Sequence, residues 1–183
     1  MATRPTSDRL RETLFNVLAP KISGARFLDL YAGSGAVGIE ALSRGAAHVI
    51  FVERAPAALK ALRLNLERLG ITAGFEIYAG SVAGFLRSAS SASPKRGPHE
   101  VVFLDPPYDA AEEYGATLRF LGGENLPPRS PNARDEGHPL LLSAPEAVVI
   151  AEHRRKDRLE DEYGALRKTR LLEQGDAGLS FYA

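Results

Sequence analysis

Two stretches of the 183-residue chain bring together residue types that could do chemistry. The first is Leu28-Asp29-Leu30-Tyr31-Ala32-Gly33-Ser34-Gly35-Ala36-Val37-Gly38, an apolar run that passes into a G-x-G-x-x-G spacing. In that spacing the leading glycines allow a tight turn and a close approach of ligand to backbone, and the last lets a helix pack against the sheet. Glu53 stands twenty residues beyond Gly33, at the end of the next apolar run, where its carboxylate can accept hydrogen bonds from a ribose diol. Asp29, just before the turn, aims a second carboxylate at the same groove. A carboxylate there is a poor neighbour for a pyrophosphate and suits a cationic, amino-bearing ligand. S-adenosylmethionine, with a sulfonium and an ammonium, fits that description. The alternative is a glycine turn needed only for packing, with Asp29 satisfied by a neighbouring backbone N–H.

The second stretch is Val101-Val102-Phe103-Leu104-Asp105-Pro106-Pro107-Tyr108, a buried strand ending in Asp-Pro-Pro-Tyr. Such a motif suits a planar amine whose lone pair is delocalised into a ring. Asp105 and the Pro106 carbonyl can accept the N–H bonds of that amine and stabilise the charge that develops as it attacks a methyl group. The prolines, Pro107 included, fix the acceptors and have no N–H to compete. Tyr108 can stack on a base. The plain alternative is a strand terminated by prolines. No metal or general-base histidine is needed, and His48, His99, His138 and His153 read as surface residues.

Residues of this kind must be set at the carboxyl ends of parallel strands, and the patterning supplies them. Strands are expected at 26–31, 48–53, 75–79, 101–104 and 147–151, alternating with helices at 36–44, 56–69, near 82–86 and at 112–121. Ser7 to Ala19 has the spacing of an amphipathic helix, with Thr6 as its N-cap and Pro20 as its stop. At the other end, 167–173 and 178–182 flank a Gly175-Asp176 turn, so an antiparallel hairpin closes an otherwise parallel sheet. Segments 88–98 and 122–139 read as irregular. The fold expected is a Rossmann-like, doubly wound α/β domain of the class I methyltransferase type, with seven strands. Residues 1–24 form a basic helical segment packed on the core and 25–183 the methyltransferase domain, a single domain overall.

Composition narrows the alternatives. The chain has no cysteine, which excludes disulfides, thiol nucleophiles and thiolate metal sites. No apolar run reaches membrane-span length, and the first residues lack the apolar core of a signal peptide, so a cytoplasmic protein is expected. The 23 cations balance the 23 anions, but Arg4, Arg9, Arg11, Lys21 and Arg26 face only Asp8 and Glu12 near the N-terminus. Arg4, Arg9 and Arg11 are candidate phosphate contacts for an RNA.

Four segments together resemble the RsmD-like 16S ribosomal RNA guanine-N2 methyltransferases: Arg4 to Asn16 (Arg-Pro-Thr-Ser-Asp-Arg-Leu-Arg-Glu-Thr-Leu-Phe-Asn), Asp29 to Gly35, Glu40 to Ala46 and Asp105 to Tyr108. The resemblance implies a class I methyltransferase fold, S-adenosylmethionine as donor with S-adenosylhomocysteine as product, and a guanine amino group in small-subunit ribosomal RNA as acceptor, in RNA alone or in the assembled subunit. By position it implies Asp29 and Ala32, Gly33, Ser34 and Gly35 at the methionine end, Glu53 at the ribose, Ser81 and Val82 at the adenine edge, and Asp105, Pro106, Pro107 and Tyr108 as the catalytic motif, with Asp105 also near the cofactor. Ser81 departs from the Asp or Asn often found at its position. Family members usually begin with a Gly/Arg-rich strand hairpin, whereas three residues precede Arg4 here, and the 122–139 segment has no clear family counterpart. A monomer is expected. Rival readings are the same chemistry on DNA adenine, a protein glutamine or a small amine, a nicotinamide-dependent oxidoreductase, and a non-catalytic RNA-binding assembly factor.

Overall fold

A computed structural model describes residues 5–90, 98–107, 111–124 and 147–183. Arg4, Tyr108, His138 and most of the 122–139 segment lie outside the described residues. The elements run α1 (Pro5–Ile22), β1 (Arg26–Leu30), α2 (Ala36–Ser43), β2 (His48–Glu53), α3 (Pro56–Arg68), β3 (Phe75–Ala79), α4 (Val82–Ser90), β4 (Val101–Leu104), α5 (Ala111–Leu121), β5 (Val148–Arg154), β6 (Glu162–Tyr163), β7 (Leu166–Gln174) and β8 (Ala177–Tyr182).

The strands form one mixed sheet in the order β3-β2-β1-β4-β5-β8-β7-β6. The first five pair in parallel, and β8 returns antiparallel to β5 with β7 antiparallel beyond it. The sheet has eight strands among the described residues, one more than the expected seven. The extra one, β6, is two residues long and folds back onto β7 through Gly164, whose φ of 59° lets the chain reverse at once. The Gly175 turn that predicts the terminal hairpin is present, with φ 60°.

Apolar side chains alternate along the central strands and fill both faces of the sheet. Leu28, Leu30, Ile50, Val52, Val102 and Leu104 point to the face covered by α4 and α5. Phe27, Phe51, Phe103 and Ile150 point to the opposite face, under α1, α2 and α3. Helix α1 belongs to this core through Leu10, Leu14, Phe15, Leu18 and Ile22. Its Pro20 does not end it. The missing N–H costs one bond to the exposed Asn16 carbonyl in the last turn, while Ile22, 4 % exposed, holds that turn against the core. Pro5 opens the helix, so Thr6 lies within it rather than at its cap. Helix α4 likewise runs on to Ser90, past the expected loop start. Two histidines expected at the surface are interior: His99 is fully buried, and His153, also buried, bonds Ser180 Oγ through Nε2 at 2.9 Å.

Candidate functional site

The turn after β1 is built by backbone conformation. Tyr31, Gly33 and Gly35 have φ of 65°, 56° and 83°, which carries the chain out of the sheet and into α2. A Cβ on Gly38 would collide with the Phe51 ring and lie 2.9 Å from Val49 Cγ1, so only glycine lets α2 sit this low on β2. A Cβ on Gly33 would meet nothing within 4 Å, because that residue opens onto a cleft. Gly35 at the N-cap has no side chain to cap α2, and the buried Asp29 carboxyl takes over that task at the third amide of the helix, that of Gly38.

Two carboxylates hold this turn. Asp29, 2 % exposed, accepts the Gly38 N–H through Oδ2 at 2.9 Å. Glu53 accepts the Gly33 N–H through Oε2 at 2.8 Å and the Arg54 and Ala55 amides through Oε1 at 2.8 and 2.7 Å. Its carboxylate is thereby fixed across from the glycine turn and keeps spare acceptor capacity, since a carboxylate has about four lone-pair sites.

A cleft of about 330 Å³ opens at the carboxyl ends of the strands, within the range of small-ligand sites. Of the residues singled out from sequence, Gly33, Glu53, Val82, Asp105, Pro106 and Pro107 line it. Asp29, Ala32, Ser34, Gly35 and Ser81 stand behind or beside it instead. Ala32 bonds Val52 O through its N–H at 2.9 Å, Ser34 O takes Asn65 Nδ2 at 3.0 Å, and Ser81 Oγ takes the Gly84 N–H at 3.1 Å as the cap of α4. The lining also includes Tyr31, Val52, Arg54, Gly80 and Glu113, which sequence reasoning missed. The first four were findable: Tyr31 lies inside the glycine motif, Val52 and Arg54 flank Glu53, and Gly80 follows β3 just before Ser81. Glu113 lies 3.6 Å from Arg54 across the mouth, and only the packing of α5 brings it there.

The electrostatics are strongly acidic. Burial raises Asp29 to about 7, with the Asp105 and Glu53 charges adding to it and the Gly38 bond opposing. Burial likewise raises Asp105 to about 6. Glu152 within β5, unremarked in the sequence, is pushed up to about 8 by burial and the Asp105 charge, with Arg11 opposing. Tyr31 is also raised, chiefly by burial, and shares a 3.0 Å hydrogen bond with Thr117 Oγ1. Carboxyls in such a group cannot all ionise without a cation to offset them. Of the arginines expected at the surface helix, Arg9 is exposed, and Arg11 is half-buried and pairs with Asp8 at 2.9 Å. Neither lines the cleft.

A family model described as Conserved hypothetical protein 95 matches residues 1–183. The candidate rRNA methyltransferase YlbH of Bacillus subtilis is 34% identical over 181 residues, 99% of this chain and 88% of that protein. Ribosomal RNA small subunit methyltransferase D of Escherichia coli is 46% identical over 106 residues, 57% of this chain, and the match spans half the length of that relative. The solved structure of the candidate methyltransferase YhhF of Escherichia coli superposes with a TM-score of 0.71 at 30% identity, covering 99% of this chain and 87% of that one.

Proposed function

The chain belongs to the family described as Conserved hypothetical protein 95, and from that membership we propose that it is an S-adenosylmethionine-dependent methyltransferase acting on the exocyclic N2 amine of a guanine in small-subunit ribosomal RNA. One observation carries the reading: the Asp105-Pro106-Pro107 end of β4 lines the same cleft as Gly33 and Glu53. The names of the relatives point the same way, since one is a ribosomal RNA small subunit methyltransferase and another a candidate rRNA methyltransferase.

The residues present fit the cofactor. Gly33 is open on the side where a ligand would lie, and Asp29 and Asp105, whose carboxyls are raised chiefly by burial, would be favoured in their ionised form by a cationic ligand. When bound, S-adenosylmethionine supplies a methyl group made electrophilic by its sulfonium. Glu53 holds the ribose diol with the lone pairs its three amide bonds leave over. Val82 and Gly80 pack the adenine side. Asp29 keeps α2 in place through Gly38, and its charge favours the cationic methionine end from behind the turn.

On the acceptor side, Asp105 Oδ and the Pro106 carbonyl hold the N–H groups of the target amine. Asp105 takes no proton before attack, because the amine sheds one to solvent easily once methylation makes it cationic. Its work is orientation and charge stabilisation, in a wall stiffened by two prolines. Tyr108, next in the chain, stacks on the base. Such a pocket takes a flipped or unstacked guanine, so loop or single-stranded RNA is the better substrate. Among the described residues no helix is long and apolar enough to cross a membrane, and the cytoplasm is the proposed location for an enzyme of this substrate. We infer one domain, with α1 as its basic flank.

The test is transfer of labelled methyl from S-adenosylmethionine to small subunits from cells lacking the modification, followed by digestion to nucleosides. Label in N2-methylguanosine is expected. Label in adenine or protein, or none, would overturn the assignment.

A further inference from the structure

Strands β4 and β5 run parallel with Leu104 beside Ala151. The next residues along the two strands are Asp105, just past the end of β4, and Glu152, still within β5, so two carboxyls stand side by side there. Leu104 and Ala151 belong to the core under α4 and α5, whereas Phe103 and Ile150 belong to the core under α1. Alternation along β5 therefore sends Glu152 to the α1 side. The Arg11 charge on α1 and the Asp105 charge both act on it there. This part of β5 is held firmly: the Glu152 carbonyl accepts the Tyr114 hydroxyl at 2.7 Å, and the next residue, His153, is locked by Ser180. The Glu152 carboxyl itself takes part in no hydrogen bond among the described residues, although it is largely buried. A partly buried carboxyl beside the acceptor motif with its lone pairs unspent is placed to meet a substrate.

We propose that Glu152 is the residue that selects guanine, accepting the N1–H of the base while Asp105 holds a hydrogen of the adjoining N2 amine. The inference rests on the methyltransferase reading above and deepens it. Guanine presents two neighbouring donors along that edge, N1–H and N2–H, and the pair is acceptor-only once Glu152 is ionised, the form that a bound N1–H and the Arg11 charge favour against the burial that opposes it. Adenine and cytosine also present an amine, but beside it a ring nitrogen lone pair, which faces a carboxylate with repulsion. Rejection thus comes from an unpaired, opposed acceptor rather than from size. Arg11 has a role here distinct from phosphate binding: its charge favours the ionised form of Glu152 that the N1–H requires.

The experiment compares two bases in three proteins. Small subunits are reconstituted on RNA carrying either guanine or 2-aminopurine at the methylated position; 2-aminopurine keeps the N2 amine and lacks the N1–H. For the wild type, kcat/KM should be about 10- to 100-fold higher on guanine, the range for a hydrogen bond to a charged group. For Glu152→Ala the guanine to 2-aminopurine ratio should fall by at least tenfold, and Glu152→Gln, which keeps one acceptor oxygen, should fall between. The ratio within one protein is independent of how much of a preparation is folded, and the lost O6 affects all three alike. An unchanged ratio in Glu152→Ala, with wild-type transfer to guanine intact, would overturn the role of Glu152 alone. Failure of the wild type to methylate guanine would overturn the methyltransferase reading and this inference together.

Discussion

Asp29 and Glu53 are both carboxylates at strand ends, yet they do different things. Glu53 lines the cleft, whereas Asp29 is spent on the Gly38 amide. Sequence spacing identifies both positions and cannot tell the two roles apart, because whether a carboxylate meets a ligand or a backbone N–H depends on distances set by the packing of α2. The burial of Asp29 has a consequence for pH dependence. Its carboxyl loses its proton near the ordinary 3.8 in the unfolded chain and near 7 in the folded one. Between those values the folded state binds more protons, so stability is greatest below about pH 4 and falls as pH rises through 7, by on the order of 4 kcal/mol from this group alone. Asp29→Asn keeps an acceptor for Gly38 and removes the titration. Its unfolding free energy, measured by urea titration across this range, should fall less steeply with pH than that of the wild type. Equal slopes would mean that Asp29 ionises normally in the fold.

At the scale of elements, the order of strands and helices, the terminal hairpin and the strand–turn–helix of the glycine loop are all legible in the spacing of apolar residues and glycines. What is not legible is decided by tertiary contact. Pro20 reads as a stop, and the burial of Ile22 carries the helix past it. β6 is too short for any periodicity, and depends on the reversal at Gly164. Glu152 carries no motif signal, since only the pairing of β5 with β4 sets it beside Asp105. Gly33 and Gly38 of the glycine loop should separate packing from the proposed cofactor binding. Gly38→Ala drives a methyl into Phe51, a fully buried side chain, and should cost about 1–3 kcal/mol of stability as overpacking does. Gly33→Ala meets no protein atom and should cost about 1–2 kcal/mol for its left-handed backbone, yet weaken S-adenosylhomocysteine binding by more than its stability loss implies, because its methyl occupies the cleft. Denaturant unfolding paired with calorimetric titration reads both. Wild-type affinity in Gly33→Ala would remove the ligand from that side of the turn.

For the molecule as a whole, the cleft is acidic while the chain carries no net charge, so attraction for RNA must come from outside the cleft. Helix α1 is the element placed to provide it, packed on the sheet beside β4 and β5 with Arg9 exposed. Arg9→Ala should weaken RNA binding uniformly across sequences and reduce the slope of log affinity against log salt by about 1; an unchanged slope in a filter-binding titration would move the phosphate contact elsewhere. The central claim is that Asp105 stabilises the attacking amine. Its most direct measurement is single-turnover methyl transfer to small subunits by Asp105→Asn at saturating S-adenosylmethionine, with cofactor binding verified. The substitution keeps the shape and replaces one acceptor oxygen by a donor that opposes the incoming N–H, so the rate should fall about 10²–10³-fold while the fold is retained. A rate close to that of the wild type would mean that the Asp105-Pro106-Pro107 strand end is structural and that the methyl acceptor is held by other residues.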